Sequence, residues 1–230
     1  MNSDREGTQA MANDWYSEGV RFGALGEHEE AIVCFDRALE ADRDNPLAWY
    51  NKGVALGTLG RHSEAIDCFD NALAIDPNLA HAWCCRGAAT AKLGRNEEAL
   101  AYYDRAIEMD PVGTQAWYNK GVALGKLGRQ QEAVECFDEA IKIDAKDAQA
   151  WSSKGAALAN LGRIDQAIEC QDRAIRIDPR LPLPWFNKGT MLGSVGRLKE
   201  ALQCFEKAHE LGHPDAAEAI NVCKRELGLP

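Results

Sequence analysis

The sequence predicts an all-α fold, a solenoid of six helix-turn-helix repeats closed by a C-terminal capping helix. Three observations carry this reading. The six tryptophans, Trp15, Trp49, Trp83, Trp117, Trp151 and Trp185, follow one another at a constant step of 34 residues. Glycine recurs four and eleven positions after each of them, and alanine sixteen after, as in Gly53, Gly60 and Ala65. Between these columns the apolar residues repeat with helical spacing. A unit of this size cannot bury its own apolar face, so neighbouring units must stack.

The elements follow in order. Residues 1–11 (MNSDREGTQAM) are polar and are expected to form a flexible, frayed terminus. The repeats occupy 12–45, 46–79, 80–113, 114–147, 148–181 and 182–215. In the second, Trp49, Gly53, Leu56 and Leu59 mark one face of a first helix, A. Gly60-Arg61 makes the turn. Ala65, Ile66, Phe69, Ala72, Leu73 and Ile75 then mark a second helix, B, which stops at Asp76-Pro77 because proline cannot continue it. Each helix has roughly 14 residues and a length of about 21 Å. The small residues Gly53, Ala65 and Ala72 allow close approach of the two backbones, with Trp49, Leu56 and Phe69 filling the space around them. Residues 216–230 read as a capping helix and tail. Asp215 is the expected N-cap, Ala216, Ile220, Cys223 and Leu227 form its apolar stripe, and Gly228 stops it.

The run Trp49-x2-Lys52-Gly53-x2-Leu56, with Ala65-x3-Phe69 and Pro77 after it, resembles the tetratricopeptide repeat (TPR). The resemblance spans residues 12–215. It implies an α-α superhelix with helix A on the concave face and helix B on the convex one. The sequence departs from the family pattern at several places. Where the family has leucine three residues after the tryptophan, this chain has Glu18, Lys52, Arg86, Lys120, Lys154 and Lys188. A lysine stem can cover apolar surface while its head stays in water. Thr90 takes an aromatic or leucine position, Gln171 takes a phenylalanine position, and Ala145 stands in place of proline. If buried, Gln171 needs hydrogen-bond partners.

No catalytic arrangement emerges. The chain has no GxxxxGK[ST] phosphate loop, no GxSxG elbow and no HExxH pair, and its glycines are accounted for by repeat columns. An enzyme is therefore not expected, and neither is a cofactor. Five of the eight cysteines, Cys34, Cys68, Cys136, Cys170 and Cys204, share one helix B column. Stacked repeats place that column about 8–10 Å apart, beyond the reach of a disulfide, so these read as packing residues. His81, Cys84 and Cys85 share a helix face and form the one candidate thiol or metal-binding cluster, one ligand short of a structural zinc site.

Charge narrows the class of partner. The chain carries 36 acidic and 26 basic residues, net −10, which argues against nucleic acid and anionic membrane as partners. No stretch approaches the 18 apolar residues that would span a bilayer. Met1–Met11 lacks the apolar core of a secretory signal, and unpaired thiols suit a reducing compartment, so a cytoplasmic location is expected. The helix A segments of the second to sixth repeats hold seven cations and no carboxylate, net +7, which leaves −17 for the remainder. The groove is thus expected to be neutral to basic inside an acidic shell, suited to an extended, neutral-to-acidic peptide.

Two columns sharpen that expectation. One position after the tryptophan stand Tyr16, Tyr50, Cys84, Tyr118, Ser152 and Phe186, and two after it Asn51, Asn119 and Asn187 recur. Asparagine is a poor helix-interior residue, so its recurrence in phase needs a reason. In TPR proteins related to O-linked N-acetylglucosamine transferase and kinesin light chain, a groove asparagine ladder holds extended peptide backbone. The resemblance implies that role for Asn51, Asn119 and Asn187, flanked by Tyr50, Tyr118 and Phe186, with Lys92 and Lys126 as groove cations. The Lys/Asn/Arg clamp of chaperone-tail TPR proteins has no counterpart, since lysine never follows the tryptophan. The expected function is a non-enzymatic scaffold or adaptor that binds an extended segment of another protein. The competing structural reading is self-assembly, end to end or by swapping, through Trp15, Tyr16, Val20 and Phe22 of the first repeat.

Overall fold

The computed structural model describes the backbone of residues 2–229 and the side chains from Ala10 onward, and among these residues it is helical with no strand. The helices come in pairs: α1 (Asn2–Leu25) with α2 (His28–Ala41), α3 (Pro46–Thr58) with α4 (His62–Ile75), and α5 (Ala80–Lys92) with α6 (Asn96–Met109). They continue as α7 (Thr114–Lys126) and α8 (Gln130–Ile143), α9 (Ala148–Asn160) and α10 (Ile164–Ile177), and α11 (Pro182–Ser194) and α12 (Leu198–Glu210). Helix α13 (Ala216–Leu227) follows on α12. The chain divides into two compact units, Met1–Asn119 and Lys120–Pro230, with the division inside α7. The paired arrangement expected from the repeat columns is present in both. The first helix extends back to Asn2, so residues 2–11, expected as a frayed terminus, are helical.

Each A helix ends for the same reason. In the second repeat Gly60 adopts φ +78°, and the Arg61 N–H donates to the Leu56 carbonyl at 2.9 Å across it. A residue with a Cβ would be strained in this left-handed conformation by about 1–2 kcal/mol, so glycine sits eleven positions after every tryptophan. The tryptophan itself fixes the connection between repeats. The Trp49 indole N–H donates to the Arg43 carbonyl at 3.0 Å, and Trp83, Trp117 and Trp185 donate to the carbonyls of Pro77, Pro111 and Pro179. Trp151 donates to Ala145 at 3.1 Å. The bond uses a backbone oxygen, so the missing proline at Ala145 does not disturb it. An aspartate ahead of each loop tightens it, as where Asp76 accepts from the Asn78 N–H at 3.0 Å.

Within a pair the core is small residue against ring. Phe69 is buried, and a Cβ on Gly53 would sit 2.7 Å from its Cε1. Tyr50 packs on Phe69 with ring centroids 6.1 Å apart, Tyr16 on Phe35 at 6.0 Å, and Phe186 on Phe205 at 5.4 Å. The fifth repeat replaces this aromatic pair with a polar one. Gln171 is fully buried, its Oε1 accepts from the Ser152 hydroxyl at 2.8 Å, and its Nε2 donates to the Ser152 carbonyl at 2.9 Å. The partners that a buried glutamine requires are therefore present.

Helix α13 buries Ala216 and Cys223 and stops at Gly228, φ +67°. Asp215 does not cap it through its side chain, contrary to expectation. Its backbone is already helical, and its N–H donates to His213 Nδ1 at 3.3 Å.

Candidate functional site: the helix A face

The residues that follow each tryptophan lie on one face of helix A, and the structure shows what most of them touch. Asn51 donates its amide to the Tyr16 hydroxyl at 3.0 Å, one repeat earlier. Tyr50 meets Cys85 across the next junction at 3.9 Å. Asn119 donates to Cys84 Sγ at 3.7 Å and accepts from Gln115 at 3.0 Å. In the second unit Asn187 donates to the Ser152 hydroxyl at 3.5 Å. In all four cases the second residue after one tryptophan meets the first residue after the preceding one, 35 positions earlier. The recurring asparagines thus stitch repeat to repeat. Each amide still has a second N–H, and the Oδ1 of Asn51 and of Asn187 makes no hydrogen bond among the described residues, so capacity for a ligand remains on the same face.

The flanking aromatics are half-buried at Tyr50, Tyr118 and Phe186. Phe186 is further covered by the His213 ring, stacked at 4.0 Å and 6°. One turn on, Val54 and Thr190 are exposed on the same face as Asn51 and Asn187, three residues behind them.

The basic lining is smaller than the charge arithmetic implies. Lys52 pairs with Asp36 at 2.5 Å, Lys154 with Asp138 at 2.5 Å, Lys188 with Asp172 at 2.5 Å, and Arg86 with Asp70. Each partner stands on the B helix of the preceding repeat, 16 residues earlier. These cations are mostly shielded, so their charge is spent inside the repeat junction and not on the groove. Lys92 and Lys126 are the exposed cations on the helix A segments.

The thiol cluster does not assemble as a metal site. Among the described residues no three His, Cys, Asp or Glu side chains converge to hold an ion. Cys84 faces Asn119 of the following repeat and Cys85 faces Tyr50 of the preceding one, while His81 is exposed. Burial holds the Cys84 thiol protonated up to about 12, and that of Cys68 in the helix B column up to about 11. The cysteines are free and mostly buried. A stability consequence follows. Unfolded thiols ionise near pH 8.5, so above that value the unfolded state gains charge that the fold refuses, and stability falls with rising pH. Each such thiol lowers the stability further as pH rises from there towards its folded value. Urea unfolding at pH 7.5, 9.5 and 10.5 should show this decline, and Cys84→Ala should make it shallower.

Comparison with known proteins agrees with the repeat geometry. Models described as tetratricopeptide repeat match residues 87–148, 124–182, 46–79 and 184–211, and one described as TPR repeat matches 19–60. No curated protein matches significantly. Among solved structures, the type IV pilus biogenesis factor PilW is similar with a TM-score of 0.81 at 19% identity, over 92% of this chain and 97% of that one. PilF of Pseudomonas aeruginosa gives 0.81 at 17% identity, over 96% and 99%. YrrB, described as a TPR protein with an unusual peptide-binding site, gives 0.62 at 28% identity, over 74% and 88%. No helix among the described residues is long and apolar enough to cross a membrane.

Proposed function

The chain belongs to the tetratricopeptide-repeat family, and from that premise we propose that it is a non-enzymatic scaffold whose helix A face grips an extended, neutral-to-acidic segment of another protein. The observation that carries this reading is the amide column. Asn51 in the first unit and Asn187 in the second each keep an acceptor oxygen to spare on a partly exposed helix A face, which suits a sequence-tolerant hold on peptide N–H groups. Tyr50, Tyr118 and Phe186 add aromatic contact area, while Lys92 and Lys126 supply the positive charge. YrrB, with its peptide-binding site, is in keeping with this use of the fold.

The test compares wild type with Asn51→Ala/Asn119→Ala/Asn187→Ala on a peptide array and in pulldown from the native host. Because the amides also join repeats, unfolding curves accompany the comparison. Loss of partner binding by a variant that still unfolds cooperatively is the expected result, and unchanged binding sinks the groove mechanism. A second reading, self-assembly, is favoured by one specific observation. The first repeat exposes Met11, Trp15, Val20 and Val33, with Arg37 lying over the Trp15 ring. Light scattering across concentrations separates the readings, since a strictly monomeric species at high concentration excludes assembly.

A further inference from the structure

A pocket of about 510 Å³ is bounded by α8, α9 and α10, with Trp151 in its wall and Arg163, Arg173 and Arg176 along α10. Its volume falls in the usual range for ligand sites. Trp151 is held by its indole bond to Ala145, with the Arg173 guanidinium 6.0 Å and the Lys154 amine 5.5 Å from its ring.

The charge bookkeeping of this pocket differs from that of the equivalent columns elsewhere. In the second, third, fourth and sixth repeats the arginine that opens helix B is bound to a glutamate three residues on: Arg61 to Glu64, Arg95 to Glu98, Arg129 to Glu132 and Arg197 to Glu200. In the fifth repeat that glutamate is Gln166, which accepts from Arg163 at 2.7 Å and cancels no charge. The cations near the end of helix B are likewise neutralised in the third, fourth and sixth repeats, in Arg105–Glu108, Lys142–Glu139 and Lys207–Glu210, while in the first Arg37 stands over the Trp15 ring as Arg173 does over Trp151. Arg173 and Arg176 form no ion pair among the described residues. Of the three carboxylates in the pocket wall, Asp138 is taken by Lys154 and Asp172 by Lys188. Three guanidiniums therefore face Glu169 alone, in a chain of net charge −10. All three are exposed, so water and salt screen their repulsion, and what the pocket offers an acidic ligand is positive charge that no neighbour has paired.

We propose that this pocket binds an acidic segment of a partner protein in extended conformation. The spacing sets the ligand. Arg163 starts α10 while Arg173 and Arg176 stand ten and thirteen residues later, about 15–20 Å along the helix. An extended chain advances about 3.3 Å per residue, so acidic groups four to six positions apart meet both ends. Glu169, between the two ends, requires a neutral centre in the ligand. The planar guanidinium forks accept carboxylates in bidentate fashion, a grip that lysine does not reproduce. The site rests on the scaffold reading but uses neither the asparagines nor the exposed lysines of the helix A face.

The experiment measures binding of a fluorescent peptide with two glutamate pairs separated by four Gly/Ser residues, at low salt. The expected result is at least a tenfold loss of affinity in Arg163→Gln/Arg173→Gln/Arg176→Gln. The charge-matched control Arg61→Gln/Arg95→Gln/Arg197→Gln should stay within about twofold of wild type. A peptide with the same four glutamates contiguous should bind at least fivefold more weakly. Equal losses in the two arginine variants, or no binding to wild type at 0.5 mM peptide, overturn the proposal. Loss only in the asparagine triple variant also overturns it, while leaving the groove reading in place.

Discussion

Gly53→Ala is expected to destabilise the protein by about 1–3 kcal/mol, although alanine is the better helix former. The added methyl would lie 2.7 Å from Phe69 Cε1 and 3.0 Å from Cδ1. That ring is buried between the two helices of its repeat and packed on Tyr50, so it has no room to retreat. Four residues on, the same helix contains its own control. A Cβ on Gly57 meets only the Ala65 Cβ at 3.9 Å, an ordinary contact, so Gly57→Ala should stabilise by about 0.5–1 kcal/mol through helix propensity. Urea unfolding midpoints of the two variants should move in opposite directions. Shifts of the same sign would mean that Phe69 does not set the spacing of the pair.

Ser152→Ala should cost about 1–3 kcal/mol, a large effect for the loss of one oxygen atom. It removes the donor to Gln171 Oε1 and leaves an acceptor orphaned at a fully buried site. The Gln171 amide keeps its bond to the Ser152 carbonyl, which survives the substitution, so the glutamine cannot rotate away without losing that bond as well. Thermal unfolding of Ser152→Ala beside wild type measures the effect. A clearly lowered midpoint is the expected outcome, and indistinguishable curves would show that the buried amide finds another partner.

Most of the scaffold was legible because each repeat column reports one local physical requirement. A left-handed turn needs Gly60, a crowded helix crossing needs Gly53, and a loop carbonyl needs the Trp49 indole. These requirements recur at every 34th residue, so they stand out from substitution elsewhere. The interactions between repeats were harder to read. The cation three positions after the tryptophan reads as groove charge until its aspartate is seen on the previous B helix. The signal was present as a constant spacing of 16, from Asp36 to Lys52 and from Asp172 to Lys188. A pair of columns is ambiguous without knowing which helix faces which. The asparagine column has the same difficulty, since donating to Tyr16 and donating to a peptide demand the same residue type at the same place. Ser152 and Gln171 depart from the aromatic pattern in the same repeat, but that they form a matched polar pair shows only once the two helices are seen to face each other. The arginine pocket depends on what is missing around it, above all the glutamate replaced by Gln166, which only a repeat-by-repeat comparison of ion pairs brings out.

The central claim, that the helix A face is where a partner docks, is tested most directly by site-specific photocrosslinking in the native host. A crosslinking residue at Val54 or Thr190, both exposed on that face, should capture a discrete partner. The same residue at Ala74, exposed on helix B of the second repeat, should capture none. Capture at Ala74 with none at Val54 or Thr190 would contradict the account.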